Sequence, residues 1–552
     1  MLVNEPKGVQ VPDRFNPVLD ILERWASLEP TASALLSVGS EGQLVQAQSA
    51  AELALESRRM ARALIRLGVA KGERVLIMMS RVPAWYTAML GTLRIGAIAI
   101  PTPNQCTERD VAYRIKAAEP VALITDEFAA FRIGEAADQG SSVVHRIIWS
   151  QSGIERPGWR HLDNLLNEAG DGETPRDPTA GTDPSLIFFT SGTVSYPKMV
   201  LHRQSYALGH VATARHWHGI GPQDRHWTVA DPGWAKAAWG SLFGQWHERA
   251  TVVQANLVKP SAADILSVIR DHEVSSFCAP PTLYRLLVQE NLRAYDLSSL
   301  RQCTGAGEPL NPEVIRAWHA GTGLTIRDGY GQSESTLLVA NTLDLKVRQG
   351  SMGKPISGYE VAIVDEEGRR LGAGHIGNVA VRAEPRPAGL FSEYLHNEEE
   401  TRKAFRSGWY FTGDKAWVDD DGYFWFSSRA DDVITSAAYR IGPFEVESAL
   451  MEHQAVLEAA VVGKDDPQRT QIVCAFVTLA KGFMGSEQLT RELQEHVKRL
   501  TAPYKYPREI HYWEALPKTI SGKIRRSELR RLLRGAGASG SPVRRKQSDD
   551  DS

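Results

Sequence analysis

At 552 residues the chain exceeds an ordinary single domain, so two or more folded units are expected. Its 42% hydrophobic and 23% charged residues make a globular balance, and a formal net charge of -3 gives no reason to expect nucleic acid or an anionic membrane as partner. Four scattered cysteines (Cys106, Cys278, Cys303 and Cys474) lack paired spacing, which excludes a disulfide framework and a zinc motif and suits a reducing compartment.

The opening stretch, MLVNEPKGVQVPDRFNP, has neither the apolar core of a signal peptide nor an Arg-rich amphipathic pattern. The most membrane-like run, Trp85 to Ile100, is interrupted by Gly91, Arg94 and Gly96 and is too short to cross a bilayer. A cytoplasmic protein is expected. Arg74 to Met79 reads as a buried strand, Ala84 to Leu93 as a helix, and Ala97 to Ile100 and Val121 to Thr125 as further strands. Such alternation predicts parallel sheets covered by helices, an α/β fold. Gly153 to Asp183, rich in Gly, Pro and acidic residues, reads as a connecting surface segment, and Val361 to Asp365 with Val379 to Arg382 as an antiparallel section.

After Asp431 the pattern changes to helix Pro443 to Glu452, strands near Ala459 to Val462 and Ile472 to Leu479, and helix Ser486 to Leu500. The expected organisation is a large N-terminal domain of layered β-sheets over residues 1–430 and a small mobile α+β domain over 431–534. The low-complexity end, 535–552, is expected to be a disordered tail.

Chemistry concentrates in six segments. Strand-like Ser185 to Phe189 leads into TSGTVSYPKMV, in which Thr190, Ser191, Gly192 and Thr193 offer small donors and Lys198 a cation. Backbone N–H groups, hydroxyls and a positive charge are what a polyphosphate needs, yet the spacing is not that of the GxxxxGK[ST] loop. Gly305, Ala306, Gly307, Glu308 and Pro309 follow Thr304 and would let an aromatic base lie flat against the backbone. Asp328, Gly329, Tyr330, Gly331, Gln332, Ser333 and Glu334 add one ring between two glycines. Thr412-Gly413-Asp414 alone reads as a turn with an Asx residue. Near the end, LPKTISGKIRR sets Lys523 between a Ser-Gly turn and Ile524. The sixth segment, SSRADDVITSAAYRIGPFEVESAL from Ser427, packs two carboxylates, a small-residue run and Tyr439-Arg440 into one stretch.

In chain order the segments resemble the adenylate-forming (ANL) superfamily of AMP-dependent acyl-CoA synthetases, whose phosphate loop is usually written TSGTTGxPK; Val194 and Ser195 stand here for its Thr-Gly. The resemblance implies ATP, Mg²⁺ and CoA. Residues 305–309 and 328–332 would enclose adenine, Ser333 would face the α-phosphate, and Glu334 would help hold Mg²⁺, a hard cation that prefers oxygen ligands. Asp414 and Arg429 would take the ribose, Lys523 would be the catalytic lysine, and Asp431 the hinge.

Asp231 to Lys236, Cys278 to Thr282 and Thr501 to Pro507 resemble the medium-chain acyl-CoA synthetase (butyrate–CoA ligase) branch. That implies Trp234, Lys236 and Gly331 near the acid, and CoA against Ala437, Ala438, Tyr439, Arg440, Arg469, Tyr504 and Lys505. Two departures stand out. Position 438, usually Gly beside the pantetheine path, is Ala; and Thr470-Gln471 follows Arg469 where the branch commonly has Gly-Glu or Gly-Gln.

The implied reaction is carboxylic acid + ATP + CoA to acyl-CoA, AMP and pyrophosphate, with C4–C10 fatty, branched-chain and aryl acids all compatible and the oligomeric state open. Rival readings are an adenylating enzyme serving a carrier protein, a luciferase-like oxidase and a silent nucleotide-binding regulator. Retention of Lys198, Glu334, Asp414, Arg429 and Lys523 speaks against the last.

Overall fold

The computed structural model describes residues 10–139, 142–174, 179–190, 197–430, 432–436, 439–519 and 523–535. The chain divides into two compact units between Phe426 and Ser427. Among the described residues, the first unit holds a nine-stranded and an eight-stranded sheet plus a smaller, antiparallel one. In the eight-stranded sheet Arg74–Met78 lies between Ile98–Pro101 and Ala122–Asp126, parallel to both. These strands are apolar runs rather than alternating ones because helices cover both sheet faces, and their residues are almost all buried. Helices start where the chain supplies caps: Ser49 with Glu52, Thr107 with Asp110 and Ser261 with Asp264 each form a reciprocal capping box.

One segment departs from the expectation of a surface connection. Within 153–183 lies the helix Leu162–Ala169, which buries Leu162, Leu165 and Ala169. Its short apolar face was hidden by the surrounding Gly, Pro and acidic residues. The antiparallel section is present: Val361–Val364 pairs with Gly377–Arg382, which pairs with Trp409–Val418.

The second unit carries a five-stranded sheet in which Val456–Asp466 and Thr470–Leu479 form a long hairpin, flanked by helices Pro443–Met451 and Glu487–Leu500. Val446, Leu450, Leu489, Leu493 and Val497 from those helices close over Val461, Val473 and Val477. Among the described residues no helix is long and apolar enough to cross a membrane.

Candidate active site

In the nine-stranded sheet, strands Gln302–Ala306 and Ile326–Gly331 run side by side in parallel, with Gly305 opposite Asp328 and Ala306 opposite Gly329. The two glycine-rich segments thus end together at one strand-end edge, the position from which open α/β sheets bind nucleotides. Gly307 takes φ +109, which favours glycine, and Glu308 pairs with Arg285 at 3.3 Å. The carboxyl of Asp328 is buried and has its pKa pushed up to about 8, chiefly by loss of water.

Side chains alternate along a strand, and here the alternation separates two chemistries. Tyr330 and Gln332 turn to a polar side: the Tyr330 hydroxyl donates to Asp414 Oδ2 at 2.5 Å and Gln332 Nε2 to the same oxygen at 2.6 Å. Gln332 Nε2 also donates to the Thr412 carbonyl at 2.9 Å, and Gln332 Oε1 accepts from the Tyr410 hydroxyl at 2.7 Å. The opposite side has no room for side chains. A Cβ on Gly329 would lie 2.7 Å from the Trp217 indole, and one on Gly331 would lie 2.5 Å from Trp239 and 2.4 Å from the Thr336 carbonyl.

Asp414 reaches this place through a β-bulge, not a turn. It lies inside strand Trp409–Val418, whose pairing with Gly377–Arg382 shifts register between Asn378 and Ala380, and Gly413 there has φ +75. Such a bulge re-aims a side chain without ending the strand.

The Ser333–Glu334 loop is held by groups that the sequence did not single out. The Ser333 carbonyl accepts from His202 Nε2 at 2.7 Å, the Glu334 carbonyl accepts from Phe391 N at 2.9 Å, and Glu334 Oε1 accepts from the Tyr394 hydroxyl at 2.9 Å. Burial pulls the His202 pKa down to about 3, so the ring is neutral and its Nε2 carries the proton that the carbonyl needs. The ring also lies against Tyr206, tilted by 35° with centroids 3.9 Å apart. Replacing His202 by Phe should lower the adenylation kcat roughly tenfold, the scale of one lost hydrogen bond to a buried acceptor. Gln, whose amide nitrogen can take the place of Nε2, should restore most of it. Equal losses in Phe and Gln variants with intact melting temperatures would dismiss the positioning role.

Thr190 and Lys198 close the base of the expected phosphate loop, Thr190 N donating to the Lys198 carbonyl at 3.0 Å. Residues 191–196, including Ser191, Gly192 and Thr193, lie outside the described residues. The Lys198 ammonium is paired with Glu400 and sits 4.7 Å from the centre of the Tyr394 ring. Trp234 is half-buried at the start of helix Ala235–Gly240, and Lys236 Nζ donates to the Ala306 carbonyl at 2.8 Å, joining that helix to the strand beside Tyr330.

In the second unit Lys523 is exposed, and its loop is closed by Thr519 N donating to the Lys523 carbonyl at 2.7 Å and Lys523 N donating to Thr519 Oγ1 at 3.1 Å. Tyr439 and Tyr504 stack with centroids 4.2 Å apart and planes at 15°. Lys505 holds both carboxylate oxygens of Glu445, at 2.6 and 2.7 Å. Arg469 N donates to Asp466 Oδ1 at 2.8 Å, and Thr470 has φ +66, a left-handed conformation that a β-branched residue rarely adopts. Arg429 ends strand Phe424–Arg429 and is exposed. Asp431, Ala437, Ala438 and the Arg440 side chain lie outside the described residues.

Residues 22–395 match the family model for the AMP-binding enzyme and residues 445–523 that for the AMP-binding enzyme C-terminal domain. The human mitochondrial acyl-coenzyme A synthetase ACSM5 is 44% identical over 530 residues, covering 94% of this chain and 91% of that protein. The mouse mitochondrial acyl-coenzyme A synthetase ACSM3 is 40% identical over 533 residues, covering 95% and 91%. Among solved structures, an anthranilate CoA ligase, AuaEII, in complex with anthranoyl-AMP superposes with a TM-score of 0.88 at 30% identity, covering 96% of this chain and 99% of that one. A benzoate CoA ligase from Burkholderia xenovorans LB400 gives 0.82 at 28% identity, covering 94% and 100%. The chain belongs to the AMP-binding enzymes, and within them to the acyl-CoA synthetases.

Proposed function

We propose that this enzyme joins a carboxylic acid to CoA through an acyl-adenylate, with the residues named above in the roles their positions suit. What carries the reading is the two-sided strand Ile326–Gly331, with hydrogen-bonding groups that converge on Asp414 on one side and an apolar indole wall on the other. ATP would lie along the polar side, its ribose on Asp414 and Arg429 and its adenine over residues 305–309 and Tyr330. The acid would approach from the apolar side near Trp234, Lys236 and Gly331.

Ser333 would bind the α-phosphate. Glu334, a carboxylate fixed by Tyr394, offers the hard oxygen that Mg²⁺ prefers. Bound Mg²⁺ would neutralise phosphate charge. The carboxylate of the acid attacks the α-phosphorus and pyrophosphate leaves, while Lys198 and Lys523 stabilise the charge on the transferring group. The second unit then turns about Asp431, bringing the face of Ala437, Ala438, Tyr439 and Arg440 to the adenylate. The CoA thiolate attacks the acyl carbonyl and AMP leaves. Arg469, Tyr504 and Lys505 would receive the CoA nucleotide. Lys505 must then exchange its Glu445 partner for a phosphate.

Purified enzyme with ATP, Mg²⁺ and a panel of acids should release pyrophosphate, and adding CoA should yield thioester. Pyrophosphate without thioester on CoA would overturn the ligase reading in favour of a carrier-protein acceptor. We further propose a reducing compartment, which the four buried free cysteines suit, and fractionation with cytoplasmic and mitochondrial markers would decide between the cytoplasm and the compartment in its relatives' names.

Ala438 supplies a separate prediction. A methyl where the family has glycine narrows the pantetheine path, so Ala438→Gly should speed the thioester step and leave adenylation unchanged. Single-turnover rates for the two half-reactions check this, and an unchanged thioester rate would mean that the methyl is harmless.

A further inference from the structure

Away from the nucleotide site, three side chains of different chemistry converge in the second unit. Cys474 Sγ, a Glu509 carboxylate oxygen and a His511 ring nitrogen all lie within 4.8 Å of one another, the one such group of three among the described residues. Strand register builds it. Thr470–Leu479 and Glu509–Tyr512 run in parallel, with Cys474 opposite Glu509 and Phe476 opposite His511, so these four side chains share one face of the sheet. On that face Cys474 and Phe476 pack with Val462, Leu516 and Leu529, whereas Val473, Ala475 and Val477 fill the core on the other. No motif spacing announces the group, because its members come from two separate strands.

Each member is held in place by a neighbour. The His511 ring stacks on Phe476, with centroids 5.1 Å apart and planes at 26°. Its Nε2 is sealed from solvent, has no hydrogen-bond partner among the described residues and stands 3.5 Å from Glu509 Oε2. A buried ring nitrogen left so is costly, and a metal ion would satisfy it. Lys464 Nζ donates to both oxygens of Glu509, at 2.7 and 2.8 Å, and so fixes the carboxylate. A carboxylate offers about four lone-pair directions, so both oxygens can still ligate. Outer partners of this kind are what orient ligating carboxylates.

A thiolate, an imidazole and a carboxylate together suit a borderline-soft divalent ion, whereas Mg²⁺ and Ca²⁺ prefer oxygen alone. We propose that Cys474, Glu509 and His511 form a zinc-type metal site, distinct from the Mg²⁺ of the reaction, that ties strand Glu509–Tyr512 to strand Thr470–Leu479. The thiol proton passes to solvent as the sulfur binds, and water takes the fourth position. Tetrahedral bonds of about 2.0–2.3 Å set donor atoms about 3.5 Å apart, so the three side chains draw together as the ion enters.

Metal-free, reduced full-length protein titrated with Co²⁺ should bind one equivalent and develop the near-ultraviolet absorption of a cobalt–thiolate bond. Zn²⁺ should abolish that absorption by displacement, and Mg²⁺ should not. Cys474→Ser should remove the absorption. His511→Phe can keep the ring on Phe476 while removing the nitrogen, and it should weaken Co²⁺ binding roughly a hundredfold or more, beyond the cost of losing an outer partner. Zn²⁺ should raise the melting temperature of the wild type and leave that of both variants nearly unchanged. If Cys474→Ser does not fold, His511→Phe carries the test, since its ring is half-buried. A wild type without cobalt–thiolate absorption, absorption that survives Cys474→Ser, or unchanged affinity in a folded His511→Phe would each overturn the site. None of these readouts needs acyl-adenylate formation, so the site stands or falls apart from the proposed reaction.

Discussion

Lys523→Ala is expected to slow acyl-adenylate formation roughly a hundredfold or more, the scale of one lost electrostatic contact to a transition state. The reason is electrostatic. An ammonium beside the transferring phosphoryl group stabilises negative charge that grows between ground state and transition state, so its removal lowers kcat and leaves the KM for ATP nearly unchanged. Lys523 is exposed within its own unit, and its backbone is closed onto Thr519 by two hydrogen bonds, so the substitution removes a charge without opening a cavity. ATP–pyrophosphate exchange should show the loss. The reaction of preformed acyl-adenylate with CoA should proceed at the wild-type rate if, as proposed, the lysine serves only the first half-reaction. An alanine variant that exchanges pyrophosphate normally would end the assignment, and a variant equally slow in both half-reactions would point to damage to the unit.

The parts of the candidate site that could be read from sequence are those whose chemistry is local. A strand followed by glycines, a lone tyrosine and a hydroxyl next to a carboxylate announce themselves within a few residues, and Gln302–Ala306 and Ile326–Gly331 do lie side by side. The apolar runs Arg74–Met78 and Ala122–Asp126 were legible for the same reason. What escaped were relations between distant positions. Nothing near His202 signals a partner at Ser333, and nothing near Tyr394 or Tyr410 signals Glu334 or Gln332. Thr412-Gly413-Asp414 looked like a turn because a bulge is defined by the partner strand, which the local sequence does not contain. Lys198 carries the charge foreseen for it, but its ion pair with Glu400 depends on the fold. One doubt raised by sequence did land on a real feature. Thr470, the departure noted beside Arg469, adopts φ +66 and completes the turn at a steric cost of about 1–2 kcal/mol.

Asp414 yields the second large effect, and it divides into two that separate variants resolve. The carboxylate is 3% exposed and accepts from both Tyr330 and Gln332 on a single oxygen. Asp414→Ala therefore leaves two donors without their acceptor, and stability should fall by about 1–3 kcal/mol. If the carboxylate also binds the ribose, the same change removes charge-assisted bonds worth about 1.5–3 kcal/mol each, and the KM for ATP should rise roughly ten- to a hundredfold. Those bonds are equally strong in ground and transition states, so kcat should change far less than KM. Asn separates the two effects. Its carbonyl oxygen can still accept from Tyr330 and Gln332, which should keep the melting temperature near wild type, while the lost charge should still raise the KM for ATP. A lowered melting temperature in the alanine variant with an unaltered KM for ATP would show that Asp414 braces the strand and does not touch the nucleotide. The raised KM in a fully stable Asn variant is the result that only a ribose contact produces.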